Sequence, residues 1–205
     1  YFCSLEMSRQ VVLDRLLCNM ADVSTHKMRS GGLELVESTK LHQATQILKN
    51  YKGWIDDSSS LSLRQLRSKL TQAVSKGAKL AIIDYFQIMT EPRTDNVAGD
   101  ACSLAGGIRA VGKDLGIPII VLSQLNRQIE QRVWGSNDEA PKPRLSDLYG
   151  GGLEQAADSV MFIYRPTPQS TQASIILAKN RNGPIGEVPC VWRPDVTSFR
   201  PNEGF

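Results

Sequence analysis

Glu6, Asp84 and Gln124 are residues whose types and settings suit a shared chemistry. Asp84 ends the apolar run Leu80-Ala81-Ile82-Ile83. Gln124 follows Ser123 after Ile117-Pro118-Ile119-Ile120-Val121-Leu122, and Glu6 follows the extended opening segment. Continuous apolar runs of this length read as strands buried on both faces of a parallel sheet. The ends of such strands share one edge, where ligands collect. Nucleotide hydrolysis needs a set of this kind. One carboxylate holds Mg²⁺, usually through water, a second polarises the attacking water, and a neutral amide senses the γ-phosphate. Each residue alone also has a structural use. Asp84 fits a turn or cap, Glu6 fits a helix start where its charge favours the dipole, and Gln124 fits a loop backbone. Together, at strand ends, they point to a phosphate-handling site.

The elements that would position them alternate between helical and extended. Ser8 is placed to cap a helix reaching about Ala21, with Val12, Leu16 and Met20 on one stripe. A second helix is expected over Val36–Tyr51, followed by a short extended piece at Trp54-Ile55-Asp56. Ser62 caps a third, with Leu63, Leu66, Leu70 and Val74 at helical spacing and Gly77 as its stop. A helix from about Cys102 to Leu115 separates the two apolar runs, and Ser159–Tyr164 reads as a third buried strand. Ala173–Lys179 and Glu187–Trp192 flank Asn182-Gly183-Pro184, which predicts an antiparallel hairpin. Glu91–Asp100 and Gln128–Arg144 read as loops. The fold class is therefore α/β: a mostly parallel central sheet flanked by helices, with a C-terminal antiparallel hairpin.

Bulk properties narrow the class without choosing a function. At 205 residues the chain fits one domain with a sizeable core. No apolar run approaches the ~18 residues that span a bilayer, and Tyr1-Phe2-Cys3-Ser4 lacks a basic leader, so a cytoplasmic protein away from membranes is expected. Cys3, Cys18, Cys102 and Cys190 form no Cys-x-x-Cys pair, so neither zinc nor a disulfide framework is supported. The net charge of +3 is too weak to argue for nucleic acid by itself.

Five segments, in order, resemble the C-terminal RecA-like motor domain of DnaB-type replicative DNA helicases. They are Ser4-Leu5-Glu6-Met7-Ser8, Ile83-Asp84-Tyr85-Phe86-Gln87-Ile88-Met89, Ser123-Gln124-Leu125-Asn126-Arg127, Leu153-Glu154-Gln155-Ala156-Ala157-Asp158 and Lys179-Asn180-Arg181-Asn182-Gly183-Pro184. The resemblance implies ATP and Mg²⁺ as cofactors. Glu6 becomes the general base, Asp84 the Walker B carboxylate on Mg²⁺, and Gln124 the γ-phosphate sensor. Lys179 and Arg181 would reach a neighbouring subunit's nucleotide, the arginine as a finger; solvent-exposed use at a hairpin rim is the plainer alternative. The implied partners are single-stranded DNA, five further copies in a homo-hexamer, a primase and a helicase loader.

Two departures qualify the resemblance. No G-x-x-x-x-G-K-[ST] occurs, and neither Gly31-Gly32 nor Gly150-Gly151-Gly152 is followed by Lys-[Ser/Thr]. Residues 1–205 are therefore expected to be a single RecA-like domain truncated before Ser4-Leu5-Glu6-Met7, and inactive alone. Where the family has a polar Asp-Leu-Arg-Glu-Ser-Gly stretch that meets the DNA backbone, this sequence has Asp147-Leu148-Tyr149-Gly150-Gly151-Gly152. Backbone N–H groups at Gly150, Gly151 and Gly152, a stacking face on Tyr149 and the charge of Arg127 remain as candidate DNA contacts; a flexible hinge is the alternative for the glycines. Two other readings stand beside the motor: a non-catalytic RecA-like interaction module, and another RecA-family ATPase.

Overall fold

The computed structural model describes residues 1–89, 96–132, 139–150 and 152–202. Four strands form a wholly parallel sheet: β1 (Phe2–Ser4), β2 (Ile55–Asp56), β3 (Ala81–Asp84) and β4 (Ile119–Val121), in the order β2-β1-β3-β4. Between them run α1 (Arg9–Ala21), α2 (Thr25–Ser30), α3 (Leu35–Lys49), α4 (Leu63–Ser75) and α5 (Val97–Leu115). The short α6 (Gly152–Ala156) leads into a second sheet, antiparallel, of β5 (Ser159–Tyr164), β6 (Gln172–Asn180), β7 (Gly186–Arg193) and β8 (Ser198–Pro201) in sequence order. Among the described residues, no helix is long and apolar enough to cross a membrane.

The core lies on one face of the parallel sheet. Cys3, Ala81 and Ile83 pack there against Leu66 and Leu70 of α4 and Leu104, Ile108 and Val111 of α5. α4 starts where Ser62 Oγ accepts the Gln65 N–H at 3.3 Å, with Gln65 reaching back to the Ser62 N–H at 2.9 Å. This reciprocal cap satisfies two orphan donors. α4 stops before Gly77, whose φ of +100° suits glycine.

The expected hairpin is present: β6 and β7 pair antiparallel around a turn in which Asn180 Nδ2 donates to the Pro184 carbonyl at 3.2 Å. Several expectations need correction. Ser159–Tyr164 does not join the parallel sheet; it pairs antiparallel with β6. Its burial alternates, with Val160, Phe162 and Tyr164 inside. Apolar Met161 and Ile163 fill the outward positions and hide that alternation in the sequence. β4 is an edge strand in this sheet, and its two faces differ: Ile119 and Val121 pack on the core, while Ile120 and Leu122 are exposed. The α1 stripe is also rotated. Leu16 and Met20 are exposed, and the helix buries Cys18 and Ala21, with Leu17 and Ala21 packed toward Ala44 of α3. α5 begins earlier than expected because the Asn96 side chain accepts the Gly99 N–H at 3.0 Å, which makes 97–100 helical. Residues 91–95 of the Glu91–Asp100 segment lie outside the described residues, as do 133–138 of Gln128–Arg144.

Candidate active site

The carboxyl ends of β1, β3 and β4 meet at one edge of the parallel sheet. Ser4 pairs in register with Asp84, and the Leu5 N–H donates to the Asp84 carbonyl at 2.7 Å. The chain then turns away, held by the buried Ser4 hydroxyl, which donates to the Met7 carbonyl at 2.7 Å. This turn leaves Glu6 exposed beside Asp84. The Asp84 carboxyl is pushed above its ordinary range, first by burial and then by the Glu6 charge, with Arg15 opposing. Two carboxylates of different exposure thus sit side by side at this edge. The Asp84–Tyr85 peptide is cis.

Gln124 is tied to the same edge. Leu122 N–H donates to the Ile83 carbonyl and Phe86 N–H to the Leu122 carbonyl, both at 2.9 Å, carrying the β3–β4 pairing past the strands. Gln87 then reaches across. Its amide nitrogen donates to Ser123 Oγ and to the Gln124 carbonyl at 3.0 Å each, and its oxygen accepts the Gln124 N–H at 3.4 Å. The backbone of Gln124 is fixed while its side chain stays exposed. Sequence reasoning gave Gln87 no role. The available signal was a polar amide inside the otherwise apolar stretch Tyr85–Met89.

Lys179 and Arg181 lie elsewhere, at the end of β6 and in the turn after it. The Lys179 ammonium donates to the Glu154 carbonyl of α6 at 2.5 Å. Arg181 pairs with Asp158 at 2.7 Å, its N–H donates to the Asp158 carbonyl at 2.8 Å, and Arg109 of α5 reaches the same carboxylate oxygen at 3.1 Å. Among the described residues, no hydrogen bond or ion pair joins either cation to Glu6, Asp84 or Gln124.

The candidate DNA contacts divide in two. Arg127 is exposed at the head of a 3-10 turn (Arg127–Gln131), which Asn126 caps. Tyr149 packs partly on the core, and Gly150 has a φ of +67°. Gly152 is buried: a Cβ there would lie 2.3 Å from Cys102 Cα, so its absence lets α6 close on α5. Gly151 lies outside the described residues.

A parallel four-strand sheet with helices, followed by an antiparallel sheet, is the architecture of the RecA-like helicase domains among its solved neighbours. The chain matches the family described as DnaB-like helicase C terminal domain over residues 1–201, and it belongs to that family. It is 33% identical to the replicative DNA helicase DnaB of Rickettsia felis over 224 residues, covering 97% of this chain and 44% of that protein. Identity to the DnaB of Pasteurella multocida is 35% over 208 residues, covering 96% and 43%. The chain thus spans less than half the length of these curated relatives. Among solved structures, a DnaB-like replicative helicase studied for its interactions with primase superposes with a TM-score of 0.87 at 26% identity, covering 98% of this chain and 51% of that one. A second solved structure, of an ATPase domain, superposes at 0.86, also at 26% identity, covering 98% and 74%.

Proposed function

We propose that this domain is the motor of an ATP-dependent, hexameric replicative DNA helicase that couples ATP hydrolysis to translocation on single-stranded DNA and duplex unwinding. The observation that carries the reading is the in-register pairing of Ser4 with Asp84, which sets two unequal carboxylates at one sheet edge with Gln124 beside them. Glu6, exposed and beside the more buried Asp84, acts as the general base on the attacking water. Asp84 is the Walker B carboxylate. A single strand-end carboxylate suits Mg²⁺, a cation that takes one or two carboxylates and completes its shell with water and substrate phosphates. Asp84 would hold Mg²⁺, which when bound would supply positive charge to the phosphates.

Gln124 senses the γ-phosphate, its backbone fixed by Gln87. Lys179 and Arg181, held apart from the carboxylate edge on the second sheet, serve the nucleotide of a neighbouring copy. Arg127, Tyr149 and Gly150 face single-stranded DNA through charge, stacking and backbone N–H groups. Gly151 is proposed with them from the sequence, while Gly152 contributes through its packing on α5. Primase and loader contacts and a cytoplasmic site of action are proposed from the family. The 205 residues hold no Walker A cradle, so hydrolysis is proposed for the protein in which such a loop accompanies this domain, and the domain alone is expected to be inactive.

The test is Glu6→Gln in that protein. ATP binding is expected to persist while turnover falls at least ~10²-fold, the loss of a general base. Near-normal turnover would assign Glu6 to the helix start and place the base elsewhere.

A further inference from the structure

Asp147 is the one charged side chain in the buried set of the described residues, 7% exposed. Sequence reasoning assigned it nothing. Its carboxylate accepts from the Arg132 guanidinium and, at 2.6 Å, from the Arg144 backbone N–H. A second nitrogen of Arg132 donates to the Lys142 carbonyl at 3.4 Å. A carboxylate this deep is costly unless it is paired and hydrogen-bonded, so Arg132 and Asp147 hold each other wherever the fold is intact.

The location of the pair gives it a use. The Asp147 carbonyl accepts the Asn126 N–H at 2.7 Å, two residues beyond Gln124. Leu125 and Leu148 form an antiparallel bridge, and Leu148 is buried with Leu145, Val160 and Phe162. Tyr149 follows directly. The segment leaving β4 after Gln124 and the segment entering Tyr149 are therefore joined side by side, and Arg132 clamps the first segment's continuation onto the buried carboxylate of the second.

We propose that Arg132 and Asp147 are positioning residues that lock the Gln124 end of β4 to the Tyr149 turn, so that nucleotide state and DNA contact change together. The proposal rests on the reading of Gln124 as sensor and Tyr149 as DNA contact. Neither Arg132 nor Asp147 touches nucleotide or DNA; both act through the backbone they hold.

The experiment measures single-stranded DNA affinity, with and without a non-hydrolysable ATP analogue, in the proposed intact helicase. Coupling of this kind typically spans ~5–150-fold in affinity. Asp147→Asn keeps the side chain's shape and its bond from Arg144 but removes the ion pair. It is expected to leave DNA-independent ATP hydrolysis within about twofold of wild type, while the affinity ratio collapses toward about one. Arg132→Lys keeps the charge and is expected to retain part of the ratio, which keeps the proposal testable if Asp147→Asn does not fold. An unchanged ratio in Asp147→Asn overturns the proposal. So does a proportional loss of basal hydrolysis and DNA binding in both variants, which would mark the pair as a local folding element only. If wild type itself shows no nucleotide-dependent DNA binding, the functional reading fails and takes this proposal with it, an outcome visible before any variant is compared.

Discussion

Replacing Gln87 by leucine tests whether the amide clasp at the sheet edge matters for turnover. Leucine keeps the bulk and, among the bonds to the described residues, removes two donated bonds of 3.0 Å and one accepted bond of 3.4 Å. Each such bond nets ~0.5–1.5 kcal/mol. The longest is marginal and the side chain is half-buried, so water re-solvates part of what is lost. A total of about 1–2 kcal/mol follows, or roughly 2–8 °C in Tm at ~2–4 °C per kcal/mol for a domain of this size. The effect on turnover should exceed that stability cost. Gln124 is fixed by this contact, and a displacement of ~1 Å at a reacting centre costs up to ~10²-fold. Steady-state ATP hydrolysis by the proposed intact helicase should fall roughly 10- to 100-fold, with ATP affinity changed by less than about threefold. A turnover number within about twofold of wild type, alongside the expected fall in Tm, would refute the claim that Gln87 positions the sensor.

Subunits carrying Arg181→Ala mixed with subunits carrying Glu6→Gln should regain part of the ATPase that neither has alone, because an arginine finger contributes ~10³–10⁵ in rate across an interface. No recovery in single-turnover hydrolysis at low ATP, despite demonstrated subunit exchange, would place Arg181 in its own subunit's site. Gly152→Ala should destabilise by ~1–3 kcal/mol, since the new Cβ meets the backbone of Cys102 at 2.3 and 2.5 Å; an unshifted melt would contradict that packing. Asp56 is pushed up by burial, but hydrogen bonds from Lys69, Ser58 and Tyr1 outweigh this and hold it well below the carboxylate range. Its folded pKa lies below the unfolded one, so its contribution is present above pH ~4 and is lost as pH falls below that. Asp56→Asn should therefore lower Tm at neutral pH, by about 1–2 kcal/mol in stability, and converge with wild type in acid-unfolding curves.

Where one periodicity dominated, the sequence was readable. Ser62, Leu66 and Leu70 announced α4, and an apolar run closing on Asp84 announced β3. The Glu6–Asp84 neighbourhood followed from the parallel-sheet rule alone. Other features depended on partners far away in sequence. Met161 and Ile163 give β5 the look of a two-faced buried strand, and only pairing with β6 shows which face is covered. Val12, Leu16 and Met20 share a helical stripe, yet α3 packs on another side of α1. Gln87 and Asp147 are polar residues whose value lies in atoms 36 and 15 positions away, and spacing rules carry no signal at those separations. α2 is short, and its start is fixed by the Ser24 side chain accepting the Lys27 N–H, a local contact easily taken for loop.

The resting place of Arg181 has a bearing on how quickly it is given up. Both partners are exposed, 43% for the arginine and 57% for Asp158, and an ion pair in that setting is worth ~0–1 kcal/mol. A free arginine side chain carries ~2 kcal/mol of rotamer entropy, part of which is already lost while the guanidinium rests on Asp158. In the proposed trans role, transfer from that carboxylate to a neighbour's phosphate would exchange one anion for another, and a phosphate contact can be bidentate. Arg109 also contacts Asp158, so departure of Arg181 would leave the acidic group a counter-ion. In the proposed ring the arginine would be held at a shallow energetic cost, so leaving Asp158 would add little to the barrier for the next site.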